Sequence, residues 1–202
     1  MMKDLDAGVV RVWEGLRPIT QKMLVGVLQS NGITLSSPPQ KFEYDAHADW
    51  ELSRLLTALD GQKKPVDPIA IKEVSKLAET CAGILESQSG SAEVFIQLAA
   101  RAIRQHDYRK LDQLADHLYE RYSAGEIAEI VRQTEFPQIR AIAYETLAML
   151  SVQTLLPLID DPLYAEIAIG ALEQKAFEYD SEDAREILDQ IEDETSRFEP
   201  GN

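Results

Sequence analysis

The sequence predicts an all-α fold: antiparallel helical hairpins stacked into a short α–α superhelix-like array. Three observations predict it. Apolar residues recur at helical spacing almost throughout, and no segment alternates with a period of two. From residue 91 onward the breaks between periodic segments are only two or three residues long, which forces neighbouring helices to lie antiparallel and side by side. Two of the central segments are apolar on more than one face, as helices with neighbours on several sides must be.

The elements follow in order. Pro18 can open a helix through Met23, Leu24, Val27 and Leu28 that stops at Asn31-Gly32. Ser36-Ser37-Pro38-Pro39-Gln40 cannot continue a helix, because consecutive prolines remove donors and push the preceding residue out of the α region. The expected organisation is therefore an N-terminal helical pair over 1–35, a proline-containing loop over 36–44, and a helical-repeat-like domain over 45–202, or one domain overall. Gly61 closes a helix carrying Trp50, Leu52, Leu55, Leu56 and Leu59, and Gln62-Lys63-Lys64-Pro65-Val66 is a second, basic break. Asp67 then caps a helix opened by Pro68, with the stripe Val74, Leu77, Ala78, Cys81, Ala82 and Leu85.

Ser91 begins a helix with Phe95, Leu98, Ala99, Ala102 and Ile103, and His106-Asp107 turns into one striped by Leu111, Leu114, Ala115, Leu118 and Tyr122. Ser123-Ala124-Gly125 and Glu135-Phe136 are the next turns. Pro137 opens a helix over 137–150, and Pro162, behind the capping pair Asp160-Asp161, is expected to open another. Hairpin starts near 91, 124 and 162 are spaced like those of helical repeats. Ser181 caps a last helix, whose stripe Ala184, Ile187, Leu188 and Ile191 opposes Glu182, Asp183, Glu186, Asp189 and Asp193. Its polar outer face would end the stack.

Phe136-Pro137-Gln138-Ile139-Arg140-Ala141 through Leu147 resembles the second helix of a HEAT repeat, and Asp161-Pro162 through Leu172 is similar to a poorer copy lacking the arginine. His106-Asp107-Tyr108-Arg109-Lys110-Leu111 resembles the turn of a tetratricopeptide repeat, although the Trp–Leu–Gly opening of that family is missing. The resemblance covers 91–197 and implies stacked helical hairpins rather than membership of either family.

Charge narrows the functional classes. The 202 residues carry a net charge of −15. Fourteen acidic residues against three basic ones lie between Asp160 and Asn202, so the acidity belongs to the C-terminal end. It is either a solvated helix face or a docking surface for a basic partner. Duplex nucleic acid is not an expected partner of such a chain, and no apolar run approaches the ~20 residues that cross a bilayer. The opening Met1-Met2-Lys3-Asp4-Leu5-Asp6 lacks the order of a signal peptide, so the expectation is a cytoplasmic protein. Cys81, the one cysteine, lies on an apolar stripe, where it acts as a small hydrophobe.

Candidate chemistry is sparse. His47, His106 and His117 form no His-x-x-x-His and no Glu-x-x-His, while His47 with Glu51 and His117 with Glu120 are same-face pairs on helices. No nucleotide-binding glycine motif and no Gly-x-Ser-x-Gly elbow occur. The order His47, His106-Asp107, then Asp160 or Asp161 resembles HD-domain metal phosphohydrolases, which are also all-helical; the resemblance implies His47, His106, Asp107 and Asp160 as metal ligands. The flanking residues depart from that pattern, which continues into a Gly-Lys turn. In the competing reading, Asp107 is simply the N-cap of the next helix. Tyr108, Tyr119, Tyr122, Tyr144 and Tyr164 either line a groove or pack with their hydroxyls toward water.

The reading taken is a non-enzymatic protein-interaction or scaffold module, with no catalytic, cofactor-binding or metal-ligating set assigned. Its partner is expected to be a protein, basic if it meets the acidic end. The alternatives are the HD-type phosphohydrolase and a self-associating homo-oligomer paired through Trp13 and the N-terminal helices.

Overall fold

Side-chain caps and prolines mark where the helices begin, and the computed structural model, which describes residues 5–29, 44–62 and 67–198 with side chains through Asp193, contains eleven of them. They are α1 (Ala7–Glu14), α2 (Pro18–Gln29), α3 (Ala46–Gly61), α4 (Pro68–Gln88), α5 (Ala92–Gln105) and α6 (Tyr108–Arg121), followed by α7 (Ala124–Gln133), α8 (Pro137–Met149), α9 (Val152–Ile159), α10 (Ala165–Glu178) and α11 (Glu182–Phe198). The fold is all-α, with no strand among the described residues. The segments 30–43 and 63–66, which hold the Asn31-Gly32 stop, the Pro38-Pro39 loop and most of the basic break, lie outside the described residues.

The chain forms two compact units, Met1–Ser89 and Gly90–Asn202. In the first, α1 packs on α3, α2 on α4, and α3 pairs with α4. Leu24, Leu52, Leu55, Leu56, Leu77 and Leu85 are fully buried there. Trp13 is only 8% exposed and belongs to this core, so it is not presented for pairing between subunits. Trp50, expected with the leucines of α3, is instead 53% exposed, with the Arg54 guanidinium 4.4 Å from its ring centre and the His47 ring edge-on at 5.5 Å. Its position two residues from Leu52 turns it away from the leucine stripe.

The second unit is a two-layer stack. α5, α7 and α9 form one layer, α6, α8 and α10 the other, with α5 on α7, α7 on α9, α6 on α8 and α8 on α10. α5/α6, α7/α8 and α9/α10 are the hairpins, and α11 packs against α10. Five helices open on side-chain caps: Ser91 for α5, Asp107 for α6, Ser123 for α7, Ser151 for α9 and Ser181 for α11, each accepting from a first-turn amide. Phe95, Leu118, Ile127, Ile130, Ile139 and Leu147 are its largest fully buried side chains.

The structure departs from the expectations at two points. The helix expected over 137–150 is α8, but a further helix, α9, follows it unanticipated: the chain bends by 115° between the two, and the Ser151 hydroxyl accepts from the Thr154 amide to start the new helix. Pro162 does not open α10. Asp161 accepts the Leu163 N–H on its side chain and the Ala165 N–H on its carbonyl, making a turn, and the helix begins at Ala165. The third hairpin thus starts at Val152 rather than near 162, and successive hairpins start 32 and 28 residues apart.

Candidate functional site: a groove between α6 and α8

The second layer of the C-terminal unit presents a groove of about 520 Å³ between α6 and α8. Its apolar floor and walls are Ala115, Tyr119, Ala141, Ile142 and Met149, and its charged lining residues are Asp116, Glu120 and Glu145. Tyr119 is 48% exposed and Met149 44%, so large apolar surface faces outward in a site that holds three carboxylates and no cation among its lining residues.

The geometry follows from the stack. Leu111, Leu114 and Leu118 turn into the core from α6, which leaves Ala115, Asp116, Tyr119 and Glu120 along its flank. On α8, Ile139, Ala143 and Leu147 are fully buried, while Ala141, Glu145 and Met149 lie on the exposed side. Small residues at Ala115 and Ala141 keep the floor low between taller walls. The expected ion pair of His117 with Glu120 is not formed among the described residues; Glu120 faces the groove instead.

Glu145 is held in place from α10. Its carboxylate accepts from the Tyr179 hydroxyl and from Gln174 Nε2 at 3.0 Å. The bond to Glu145 pushes the Tyr179 phenol up to about 12, with burial and neighbouring negative charge adding to it. A carboxylate has about four lone-pair sites, and these two bonds leave capacity for a further donor from the groove.

The residues singled out for metal chemistry sit elsewhere. His106 is the exposed C-cap of α5, in the left-handed region at φ 58°, and Asp107 accepts the Lys110 amide at 3.0 Å as N-cap of α6. Asp160 is the exposed C-cap of α9. His47 lies on α3 with Nε2 3.8 Å from Glu51 Oε1. No group of three His, Cys, Asp or Glu side chains among the described residues is arranged to hold a metal ion. Cys81 is buried in α4.

The tyrosines divide. Tyr119 lines the groove and Tyr108 is exposed. Tyr122 packs edge-on against Phe95, the Tyr144 ring lies against Gly170 of α10, and the Tyr164 hydroxyl donates to Glu129 at 3.0 Å. Glu129 also takes Arg132, which with Gln133 and Tyr164 brings its carboxyl down to about 2 against the opposing effect of burial.

A different polar cluster organises the N-terminal unit. Glu51 is 1% exposed. It accepts the Arg17 backbone N–H at 2.6 Å, Arg17 Nε at 3.0 Å and the Thr20 hydroxyl at 2.5 Å, while the Arg17 guanidinium forks onto Asp45 at 2.9 and 2.7 Å. Burial pushes the Glu51 carboxyl up, but the bonds from Thr20 and Arg17 outweigh it and hold it below the usual range. The Arg17 fork, helped by the Ala48 amide, depresses Asp45 strongly. Every acceptor faces a donor of the same fold, so this cluster is a clasp between the start of α2 and α3.

Compared with known proteins, the chain matches no family model, no curated protein and no solved structure. Among the described residues no single helix is long and apolar enough to cross a membrane.

Proposed function

We propose that this chain is a non-enzymatic protein-interaction module whose working surface is the exposed side of the α6/α8/α10 layer. One observation carries the reading: a groove with outward-facing Tyr119, Ile142 and Met149, bordered by carboxylates with no neutralising cation in its lining. Exposed apolar surface rimmed by charge is the pattern of docking sites. Stacked hairpins suit the role, because each added pair extends one continuous layer. The candidate metal ligands act as helix caps or exposed polar groups, which gives the phosphohydrolase alternative no support.

The test is capture from an extract of the source cell on the immobilised full chain, with mass spectrometry at low and high salt. The reading expects a stoichiometric partner that Ala141→Arg releases. Ala141 is exposed, so this change fills the groove without entering the core. A partner indifferent to Ala141→Arg, or none under any condition, would overturn it.

A further inference from the structure

We propose that the α6/α8 groove takes a cationic amphipathic helix of a partner protein, with one apolar side chain seated between Tyr119 and Met149 over Ala141 and Ile142, and flanking Lys or Arg side chains reaching Asp116, Glu120 and Glu145. The proposal rests on the interaction-module reading and supplies the chemistry of the partner.

The shape argues for a helix. From Ala141 to Met149 the groove follows α8 for about 12 Å, at ~1.5 Å per residue, which is about two turns of a partner helix. Such a helix presents anchors at i, i+3, i+4 and i+7 on one face. Both walls are helices whose backbone groups are bonded internally, so no strand edge is offered to an extended peptide. A helix brings its own backbone bonds to an apolar floor; an extended segment would leave polar groups unsatisfied there.

Charge argues for cations. Asp116, Glu120 and Glu145 are the only charged lining residues, and the groups that hold Glu145, the Tyr179 hydroxyl and the Gln174 amide, are neutral. Neither Asp116 nor Glu120 pairs with a cation among the described residues. An acidic helix or an anionic headgroup would meet uncompensated like charge, whereas Lys or Arg finds acceptors on both sides of the floor. Glu145 arrives with its rotamer already held from α10, so less conformational freedom is lost when a partner binds. Met149 is flexible and polarizable, and adapts to whichever apolar side chain enters.

The C-terminal acidic helix is the competing docking surface. Its exposed side, Glu182, Asp183, Glu186 and Asp189, has charge, but its apolar stripe is turned inward: Ala184 is fully buried, and Ile187 and Leu188 are half-buried. The groove offers both halves of the recognition at once.

The test uses the full chain and a fluorescein-labelled Leu/Lys peptide of about two heptads, with leucines on one helical face. Controls are a Leu/Glu peptide of the same pattern and a Leu/Lys peptide of the same composition with its periodicity scrambled. The patterned cationic peptide is expected to bind saturably and the two controls at least about tenfold more weakly. Ala141→Arg, and separately Asp116→Lys with Glu120→Lys, are each expected to weaken binding at least about tenfold, an effect of the size expected for central contacts. All three positions are exposed, and circular dichroism confirms that the variants fold. The charge-matched pair Glu186→Lys with Asp189→Lys on α11 is expected to change affinity by less than about threefold. Equal binding of the scrambled or Leu/Glu peptide, an α11 effect as large as the groove effect, or no saturable binding overturns the proposal. If the peptide fails while Ala141→Arg still releases a captured partner, the cationic helix is wrong and the interaction module stands; if the partner is also unaffected, both fall.

Discussion

The two units hold their helices by different means. In Met1–Ser89 the start of α2 is clasped to α3 by a buried carboxylate, Glu51, that takes an amide, a guanidinium and a hydroxyl at once. In Gly90–Asn202 connections of two to five residues already fix the neighbours, and apolar interleaving with small residues adds to this: the Tyr144 ring lies 3.4 Å from where a β-carbon on Gly170 would stand. The second unit also has charged groups inside or between its helices, such as the buried Arg101 and Glu126, which accepts the Ala92 amide at 3.0 Å, but others are peripheral. Glu129 pairs with an Arg132 that is 45% exposed, and such pairs contribute little. Tight links lessen the need for polar clasps; where α2 and α3 are separated by 16 residues, side chains supply the constraint.

The comparison can be broken most directly at Glu51. Glu51→Ala strands the Arg17 amide and the Thr20 hydroxyl and is expected to cost about 2 to 3 kcal/mol, measured by urea unfolding. Both tryptophans of the chain, Trp13 and Trp50, belong to the first unit, so tryptophan fluorescence reads that unit while far-ultraviolet circular dichroism reads both. The loss should appear in the fluorescence transition. Acid sharpens the contrast. Glu51 and Asp45 have folded-state carboxyls held below their usual range, so their contribution is complete above the ordinary carboxylate value of about 4 and is lost as pH falls below it. Tryptophan fluorescence should therefore fall to the unfolded value at a higher pH than the helical signal; coincident transitions would contradict a clasp confined to the first unit.

In the second unit the largest effect is expected at Gly170. Gly170→Leu would push against the Tyr144 ring and cost about 2 kcal/mol by overpacking. Gly170→Ala places its methyl group at 3.4 Å from that ring, an ordinary contact, and should be neutral or stabilising by about 0.5 kcal/mol through helix propensity. Thermal melts followed by circular dichroism decide both. Ser151→Ala removes the cap of α9 and should cost about 1 kcal/mol; no loss would mean that the 115° bend is held by packing alone. The last is His106→Gly. A non-glycine residue at φ 58° is under modest strain, so glycine should stabilise by up to about 1 kcal/mol. A metal-ligating His106 would instead make the substitution lower the metal content of the purified chain.

Much of the fold was legible because local chemistry writes it. Asp67-Pro68, Ser91, Asp107 and Ser181 are caps whose hydrogen bonds need only neighbouring residues, and each one starts a helix as expected; Ser123 was read only as part of a turn, and caps α7. The short helix α9 was not legible. It continues a long apolar stretch, Ile142 to Ile159, and holds Pro157 in its interior, so neither its start nor its run stands out in the sequence. Pro162 misled for the opposite reason: a proline suits a turn as well as a first helical position. Glu51 was read only as the partner of His47, since its main contacts come from residues 31 and 34 positions away. The groove was hidden for the same cause. Asp116, Tyr119 and Glu120 form an unremarkable polar flank of α6 until α8, from the next hairpin, is laid beside them.

The central claim is that the working surface lies between α6 and α8 rather than on the acidic end, and an amide chemical-shift titration of the full chain with the Leu/Lys peptide tests it most directly. The account predicts shifts concentrated on residues 115–120 and 141–149, with α11 unmoved. Shifts centred on Glu182–Asp193, with α6 and α8 unchanged, would contradict it.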